Sequence, residues 1–197
     1  MISMISYGGN IISSEAEAKA DKLINAIILS DLEIIYDEDD LIPYSLKSTP
    51  GLKIERKELS LAARKFAGDD SLYFLAHGTR SPYSLCQILI DEQLTHMNEE
   101  PTHGDLSGPV NNFFLGGYLD EGWGIFVIEQ KRLWSVTYDL ALSDNSYSIP
   151  LSFVTGIILP ESYLPTVKDI FPQHKNLLHS YKEFSKLLLD GNIGDKL

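Results

Sequence analysis

The sequence has a single cysteine, Cys86, in 197 residues, and it is poor in basic side chains, with 16 Lys and Arg against 28 Asp and Glu. One cysteine excludes an internal disulfide and a cysteine-based zinc site, and a reducing compartment is the natural setting for such a chain. The net charge of −12 argues against nucleic-acid binding, because neutralising phosphates requires a basic surface. The charge fits a protein that stays in solution or docks on a basic partner.

Long apolar runs are also missing. None approaches the roughly 18 residues that a bilayer-crossing helix needs, so we expect no membrane span. The first six residues lack the basic start and long apolar centre of a Sec signal peptide, and we therefore expect no cleaved Sec signal.

Standard catalytic signatures are absent from the sequence. It contains no G-x-S-x-G nucleophile elbow, no phosphate-binding G-x-x-x-x-G-K-S/T and no metalloprotease H-E-x-x-H. The Gly-x-Gly at 122–124 precedes a predicted strand and not a helix, so it is not a dinucleotide-binding fingerprint. The acidic run at 37–40 is interpreted as a solvated loop, with a metal cluster as the alternative. His96 and His103 are interpreted as surface residues, and we expect no metal site.

What the chain does contain is a series of helix and strand patterns. With 44% hydrophobic residues it can bury the core of one domain, or of one domain with a helical appendage. The predicted elements are a helix from a capping box at 14–17 to about 30, a second helix over 54–67 ended by Gly68, a strand over 72–76, a helix that starts at Ser81 and Pro82, a loop over 95–109, strands over 124–128, 133–142 and 153–159, and a helix over 175–189. Residues 32–36 either extend the first helix or form a short strand. Because the strands cluster late and are joined by loops, the pattern predicts an α+β fold with a largely antiparallel or split sheet.

The stretch from Leu72 to Arg80 is the most informative part of the chain. An apolar strand over 72–76 is predicted to end there in a turn at His77-Gly78-Thr79, and a helix starts immediately afterwards. This arrangement puts an imidazole beside open backbone at the end of a sheet, where a polar ligand can be held. A plain surface turn after a core strand is the alternative interpretation.

The run YFLAHGTRSPYSLCQILIDEQL, residues 73–94, resembles the opening of the diphtheria-toxin-like and poly(ADP-ribose)-polymerase-like ADP-ribosyltransferases. The resemblance implies that His77 and Thr79 hold the ribose and the nicotinamide amide of NAD, that Gly78 allows close backbone approach, and that Arg80 belongs to the same NAD-binding set. The chain has Gln93 where that family usually has a glycine.

The resemblance also implies an aromatic side chain that stacks on nicotinamide, and a catalytic acid. The segment NNFFLGGY supplies Tyr118 for the stacking role, with Phe114 as the alternative, although either aromatic can equally be a core residue. The acid is Asp139 by its place in the strand series. Glu161 is the second candidate and Glu129 the third.

The function that the resemblance implies is NAD-dependent transfer of ADP-ribose to a protein acceptor, by a bacterial toxin or effector, with NAD as substrate and no metal. It implies an ADP-ribosyltransferase-type split sheet over residues 71–197, with a C-terminal helix, preceded by a helical segment over 1–70. The protein would be cytoplasmic, or secreted into a host cell. The alternative is a non-enzymatic acidic binding or inhibitor protein on a transferase-like scaffold. A chelatase-like or hydrolase-like domain is a third interpretation, but it needs βα repeats that the pattern lacks.

Overall fold

The computed structural model describes residues 6–7, 10–30, 32–36, 43–47, 49–68, 74–79, 81–97, 106–107, 123–129 and 146–193. The α-helices within these ranges are α1 (Ser14–Ile28), α2 (Pro50–Ala67), α3 (Pro82–Asp91), α4 (Leu164–Ile170) and α5 (Tyr181–Leu189). The strands are β1 (Ser6–Tyr7), β2 (Asn10–Ile11), β3 (Ile34–Tyr36), β4 (Pro43–Leu46), β5 (Phe74–Thr79), β6 (Gln93–Met97), β7 (Leu106–Ser107), β8 (Gly124–Glu129), β9 (Ser146–Pro150), β10 (Val154–Leu159) and β11 (Leu178–Ser180). None of these helices is both long and apolar enough to cross a membrane.

The first three helices begin at residues that cap them. Ser81 accepts a hydrogen bond from the backbone of Tyr83 and precedes Pro82, as the sequence predicts. Thr49 caps α2 in the same way, and Gly68 ends that helix with a φ of 61°. The predicted capping box of α1 is wrong by one position, because the N-cap is Ser13 and not Ser14.

The central sheet has the strand order β11-β10-β8-β5-β7. Neighbouring strands are antiparallel except for β10 and β11, which are parallel. Strands β5 and β8 pair over their whole length, from Phe74 opposite Glu129 to Thr79 opposite Gly124. Consequently β5, β10 and β11 finish at the end of the sheet where β8 begins, and we call this the Thr79 end. The predicted α+β class with mainly antiparallel pairing is confirmed.

The other described strands form two-stranded sheets, β1 with β2, β3 with β4, and β6 with β9. The β6–β9 pair has a particular relation to the central sheet. Along the chain, β5 lies in the central sheet, β6 in the small sheet, β8 in the central sheet, β9 in the small sheet and β10 in the central sheet. Taken in chain order, the described strands from β5 to β10 are therefore divided between these two sheets.

Helices cover both faces of the central sheet. On one face, α1, α3 and α4 enclose a core that includes Phe126, Ile128 and Ile157. On the other, α2 and α5 enclose a core that includes Phe74, Val127 and Ile158. The alternation of neighbouring residues between the two cores is what a strand with both faces buried requires. Both helices of the first 70 residues thus pack in cores that they share with the rest of the chain.

Several predicted boundaries differ from the structure. The expected loop over 95–109 contains the end of β6 and all of β7. The expected helix over 175–189 starts only at Tyr181, because residues 178–180 pair with β10 as β11. The strand expected over 153–159 starts at Val154 after a 3-10 turn, and residues 34–36 form a strand. The predicted strand over 133–142 lies outside the described residues.

Candidate functional site at the end of strand β5

His77 lies in β5 with its side chain almost buried. Strand alternation puts Phe74 and Ala76 in the α2–α5 core, so His77 projects from the opposite face. Its imidazole lies 6.1 Å, centroid to centroid, from the ring of Phe126, its partner residue in β8, and only 8% of the residue is exposed. The imidazole is therefore set in the sheet and is not carried on a free surface turn.

The Thr79 end of the sheet is held by a short set of hydrogen bonds. The Thr79 hydroxyl donates to the carbonyl oxygen of Gly124 at 3.3 Å, and the backbone N–H of Trp123 donates to the carbonyl oxygen of Thr79 at 2.7 Å. Because the Thr79 hydroxyl already donates its proton to Gly124, its oxygen can only accept further hydrogen bonds. Gly78, between His77 and Thr79, is partly exposed.

Two residues separate the end of β5 from the start of helix α3. Its N-cap Ser81 is completely buried. Cys86, one turn into the helix, is also buried, and burial raises the pKa of its thiol to about 12. A thiol with that pKa holds its proton at neutral pH, so Cys86 is a packed side chain and not a nucleophile.

Glu161 lies at the same end of the sheet as Thr79. It follows β10, which ends beside the start of β8, and β8 begins beside the end of β5. Two strand spacings amount to about 10 Å. Glu161 is exposed, and its turn is attached to β8 because the hydroxyl of Tyr163 donates to the carbonyl oxygen of Trp123.

Glu129 is not brought together with His77. It lies at the far end of β8, opposite Phe74, three positions from the Phe126 that faces His77. Three positions correspond to about 10 Å along a strand. Glu129 and Phe126 also project from opposite faces of the sheet, because their positions in β8 differ by an odd number. Glu129 is buried, and its backbone N–H donates to the hydroxyl oxygen of Thr155 at 3.3 Å.

Four of the residues proposed for the site lie outside the described residues: Arg80, Phe114, Tyr118 and Asp139. Among the residues that are described, no group of three or more His, Cys, Asp or Glu side chains is arranged to hold a metal ion.

The Thr79 end also contains buried aromatic and basic side chains that the sequence did not single out. Tyr163 packs on Trp123 with ring centroids 5.9 Å apart. Burial raises the pKa of Tyr163 well above 10.0, the nearby Tyr181 raises it further, and the Arg56 guanidinium opposes the shift. Arg56 is buried in α2 and donates from Nε to the Tyr181 hydroxyl at 3.2 Å. No local pattern marks these residues, because Trp123 and Tyr163 are 40 positions apart.

No protein-family model matches the chain, and neither a curated protein nor a solved structure is significantly similar to it.

Proposed function

We propose that this protein transfers ADP-ribose from NAD to an acceptor protein, as a toxin or effector would. The observation that carries the proposal is the position of the His77-Gly78-Thr79 segment. These residues form the last part of a central strand, with an almost buried imidazole and a threonine hydroxyl limited to accepting hydrogen bonds. A nicotinamide amide needs such an acceptor for its N–H groups, and a ribose hydroxyl is a suitable partner for an imidazole nitrogen.

The division of strands between two sheets supports the same proposal. His77 lies in β5 of the central sheet, and the chain continues from there through α3 into β6 of the small sheet. Junctions between separate layers are favourable places for ligand clefts. An ADP-ribosyltransferase-type split sheet has this general form, with NAD between its two parts.

The chemistry assigns a separate task to each group. Cleaving the bond between nicotinamide and ribose develops positive oxocarbenium character, which a carboxylate placed near the ribose stabilises. Asp139 is the acid that the sequence favours, and Glu161 is the alternative, supported by its position after β10 at the Thr79 end. His77, Thr79 and the backbone of Gly78 hold NAD, Arg80 joins them, and Tyr118 or Phe114 supplies the stacking face.

The proposal is tested with the purified full chain, NAD and a cell extract as the source of acceptor. We expect release of nicotinamide and transfer of label from NAD to protein. His77→Ala should lower both by about 100-fold, the scale of losing one preorganised polar contact in an active site. His179→Ala, in β11, is the matched control and should retain activity once its folded fraction is equalised. Absence of turnover in the unaltered protein contradicts the proposal.

The catalytic acid is identified by comparing three variants: Asp139→Asn, Glu161→Gln and Glu129→Gln. One of the first two should lose about 100-fold in kcat, because an amide cannot stabilise the oxocarbenium charge as a carboxylate does. Glu129→Gln should keep its activity per folded molecule, since its side chain faces away from His77. Full activity in both Asp139→Asn and Glu161→Gln would contradict the assignment of a carboxylate to this step.

The net charge of −12 favours a second function, that of a non-enzymatic acidic protein that binds or inhibits a basic partner. Crystals soaked with NAD or nicotinamide distinguish the two functions. Density beside His77 supports the transferase. An empty site, together with no turnover, supports the binding protein.

A further inference from the structure

Tyr163 occupies a buried position between two parts of the candidate site. It is completely buried at the N-cap position of α4. Its hydroxyl donates to the carbonyl oxygen of Trp123, and its ring packs on the indole with centroids 5.9 Å apart, inclined by 44°. The phenol therefore contacts both the backbone and the side chain of the residue that precedes β8.

The hydrogen bonds continue from Trp123 into the His-Gly-Thr segment. The N–H of Trp123 donates to the Thr79 carbonyl at 2.7 Å, and the Thr79 hydroxyl donates back to the next residue of that strand, Gly124, at 3.3 Å. His77 lies two positions before Thr79, and Glu161 lies two positions before Tyr163. One tyrosine thus connects the turn that carries Glu161 to the strand end that carries His77.

The packing around Gly124 restricts any adjustment at this point. A Cβ atom on Gly124 would lie 3.0 Å from Cδ2 of Leu159 and 3.1 Å from Cδ1 of Leu85. Strand β8 is therefore in close contact with β10 and with α3 where it begins. Removing the Tyr163 hydroxyl therefore acts directly on Trp123, the residue that it bonds, because close packing holds Gly124 in place.

The phenol is suited to a permanent donor role. Its pKa lies well above 10.0, since burial disfavours the phenolate and Tyr181 adds to that effect, while Arg56 acts against it. The hydroxyl consequently keeps its proton throughout the neutral range and donates to the Trp123 carbonyl at every pH at which such an enzyme would work.

We propose that Tyr163 is a positioning residue, which fixes the spacing between the NAD-holding end of β5 and the turn of Glu161 through its hydrogen bond to Trp123. It acts through Trp123 and Thr79 and does not itself touch NAD. This inference rests on the proposed transferase function, and it adds to that function a residue that the sequence did not identify.

The first test does not depend on NAD. Amide hydrogen exchange is compared in the unaltered protein, in Tyr163→Phe and in the matched control Tyr181→Phe, which loses the bond to Arg56 instead. Tyr163→Phe should speed exchange at the Trp123 amide by about tenfold or more relative to the amide of Ile157 in the same sheet, as local opening predicts. Tyr181→Phe should leave that ratio unchanged. A uniform change over the whole sheet in Tyr163→Phe would overturn the proposal.

The second test uses turnover of NAD. Because positioning acts on the transition state, Tyr163→Phe should lower kcat about tenfold while the KM for NAD stays within about twofold. Tyr181→Phe should retain its kcat per folded molecule. If the unaltered protein turns over NAD and Tyr163→Phe does so equally well, the positioning role is wrong. If the unaltered protein has no turnover, the proposed function itself fails.

Discussion

Gly156 lies in β10 directly beneath the ring of Phe184 in α5. A Cβ atom at this position would overlap the ring carbons of Phe184, which is itself 1% exposed. Helix α5 can therefore approach the sheet only because residue 156 has no side chain. We expect Gly156→Ala to lower the free energy of unfolding by about 2 kcal/mol, as overpacking a tight core does.

Chemical denaturation of three variants checks this expectation. Phe184→Leu removes the ring with which the new methyl group of Gly156→Ala would overlap. The double variant Gly156→Ala/Phe184→Leu should therefore lose about 1 kcal/mol less unfolding free energy than the two single variants lose in sum. Strictly additive costs would show that the contact between this glycine and the ring does not limit the packing.

Cys86 gives a prediction about alkaline pH. Its thiol pKa is about 12 in the folded protein, against 9.0 for the free group. Above pH 9 the unfolded chain loses this proton while the folded chain keeps it, so stability falls as pH rises from 9 towards 12. From pH 7 to pH 10 the unaltered protein should lose roughly 1 kcal/mol more of its unfolding free energy than Cys86→Ala does.

Urea denaturation of both proteins at the two pH values measures that difference. The tyrosines ionise in both proteins alike, so they cancel in the comparison. Equal losses in the unaltered protein and in Cys86→Ala would mean that the thiol is accessible to solvent when folded.

At the scale of elements, the start of α1 offers a paired test of capping. Ser13 accepts a hydrogen bond from the N–H of Ala16 at 3.2 Å, and Ser14, the residue that the sequence favours, is exposed in the first turn. Ser13→Ala should therefore cost about 1 kcal/mol of unfolding free energy, whereas Ser14→Ala should change it by only a few tenths. Thermal melts of the two variants decide the matter. A larger loss of stability in Ser14→Ala than in Ser13→Ala would show that Ser14 is the N-cap.

Helices were predicted better than strands because their signals are local. The caps at Ser81 and Gly68, and the apolar spacing of α2 and α3, lie within a few residues of the elements that they define. Strands β6 and β11 were missed because a strand depends on its partner. The polar residues of β6 pair with β9, some fifty positions away, through backbone hydrogen bonds that carry no sequence pattern.

The residues of the candidate site also differ in whether a local sequence pattern can predict them. His77, Gly78 and Thr79 could be found because an apolar strand that stops at His-Gly before a helix is a contiguous pattern. Trp123 and Tyr163 could not, because each gains its role only when β10 lies beside β8 and β8 beside β5.

At the scale of the whole molecule, the two N-terminal helices complete both cores. Helix α1 packs on α3, and α2 packs on α5. In the full chain, buried side chains of α1 and α2 such as Leu23, Ile27 and Leu59 cover apolar surfaces of the remaining residues. Residues 71–197 alone would expose those surfaces to solvent. We expect this fragment to lack a cooperative thermal transition and to bind the dye ANS, as loosely packed states do.

Calorimetry and dye binding of the fragment beside the full chain test this. A sharp transition in the fragment would show that residues 71–197 form an independent domain and that the first 70 residues are an appendage. The division into a helical segment and a catalytic domain remains a prediction until that experiment is made.

Local sequence patterns were enough to predict the class of the fold, the principal helices and an apolar strand before the helix at Ser81, although His77-Gly78-Thr79 belong to that strand and not to a turn after it. Hydrophobic periodicity, capping residues and turn residues act over a few positions, so they can be recognised without a partner. Which strands are neighbours became known only from the folded structure. That structure therefore decided that Glu161 reaches the Thr79 end, that Glu129 faces away from His77, and that Tyr163 is bonded to Trp123. Pairing between strands brings together residues that are far apart in the chain, and the free energy that selects one register belongs to the assembled core and not to any single segment.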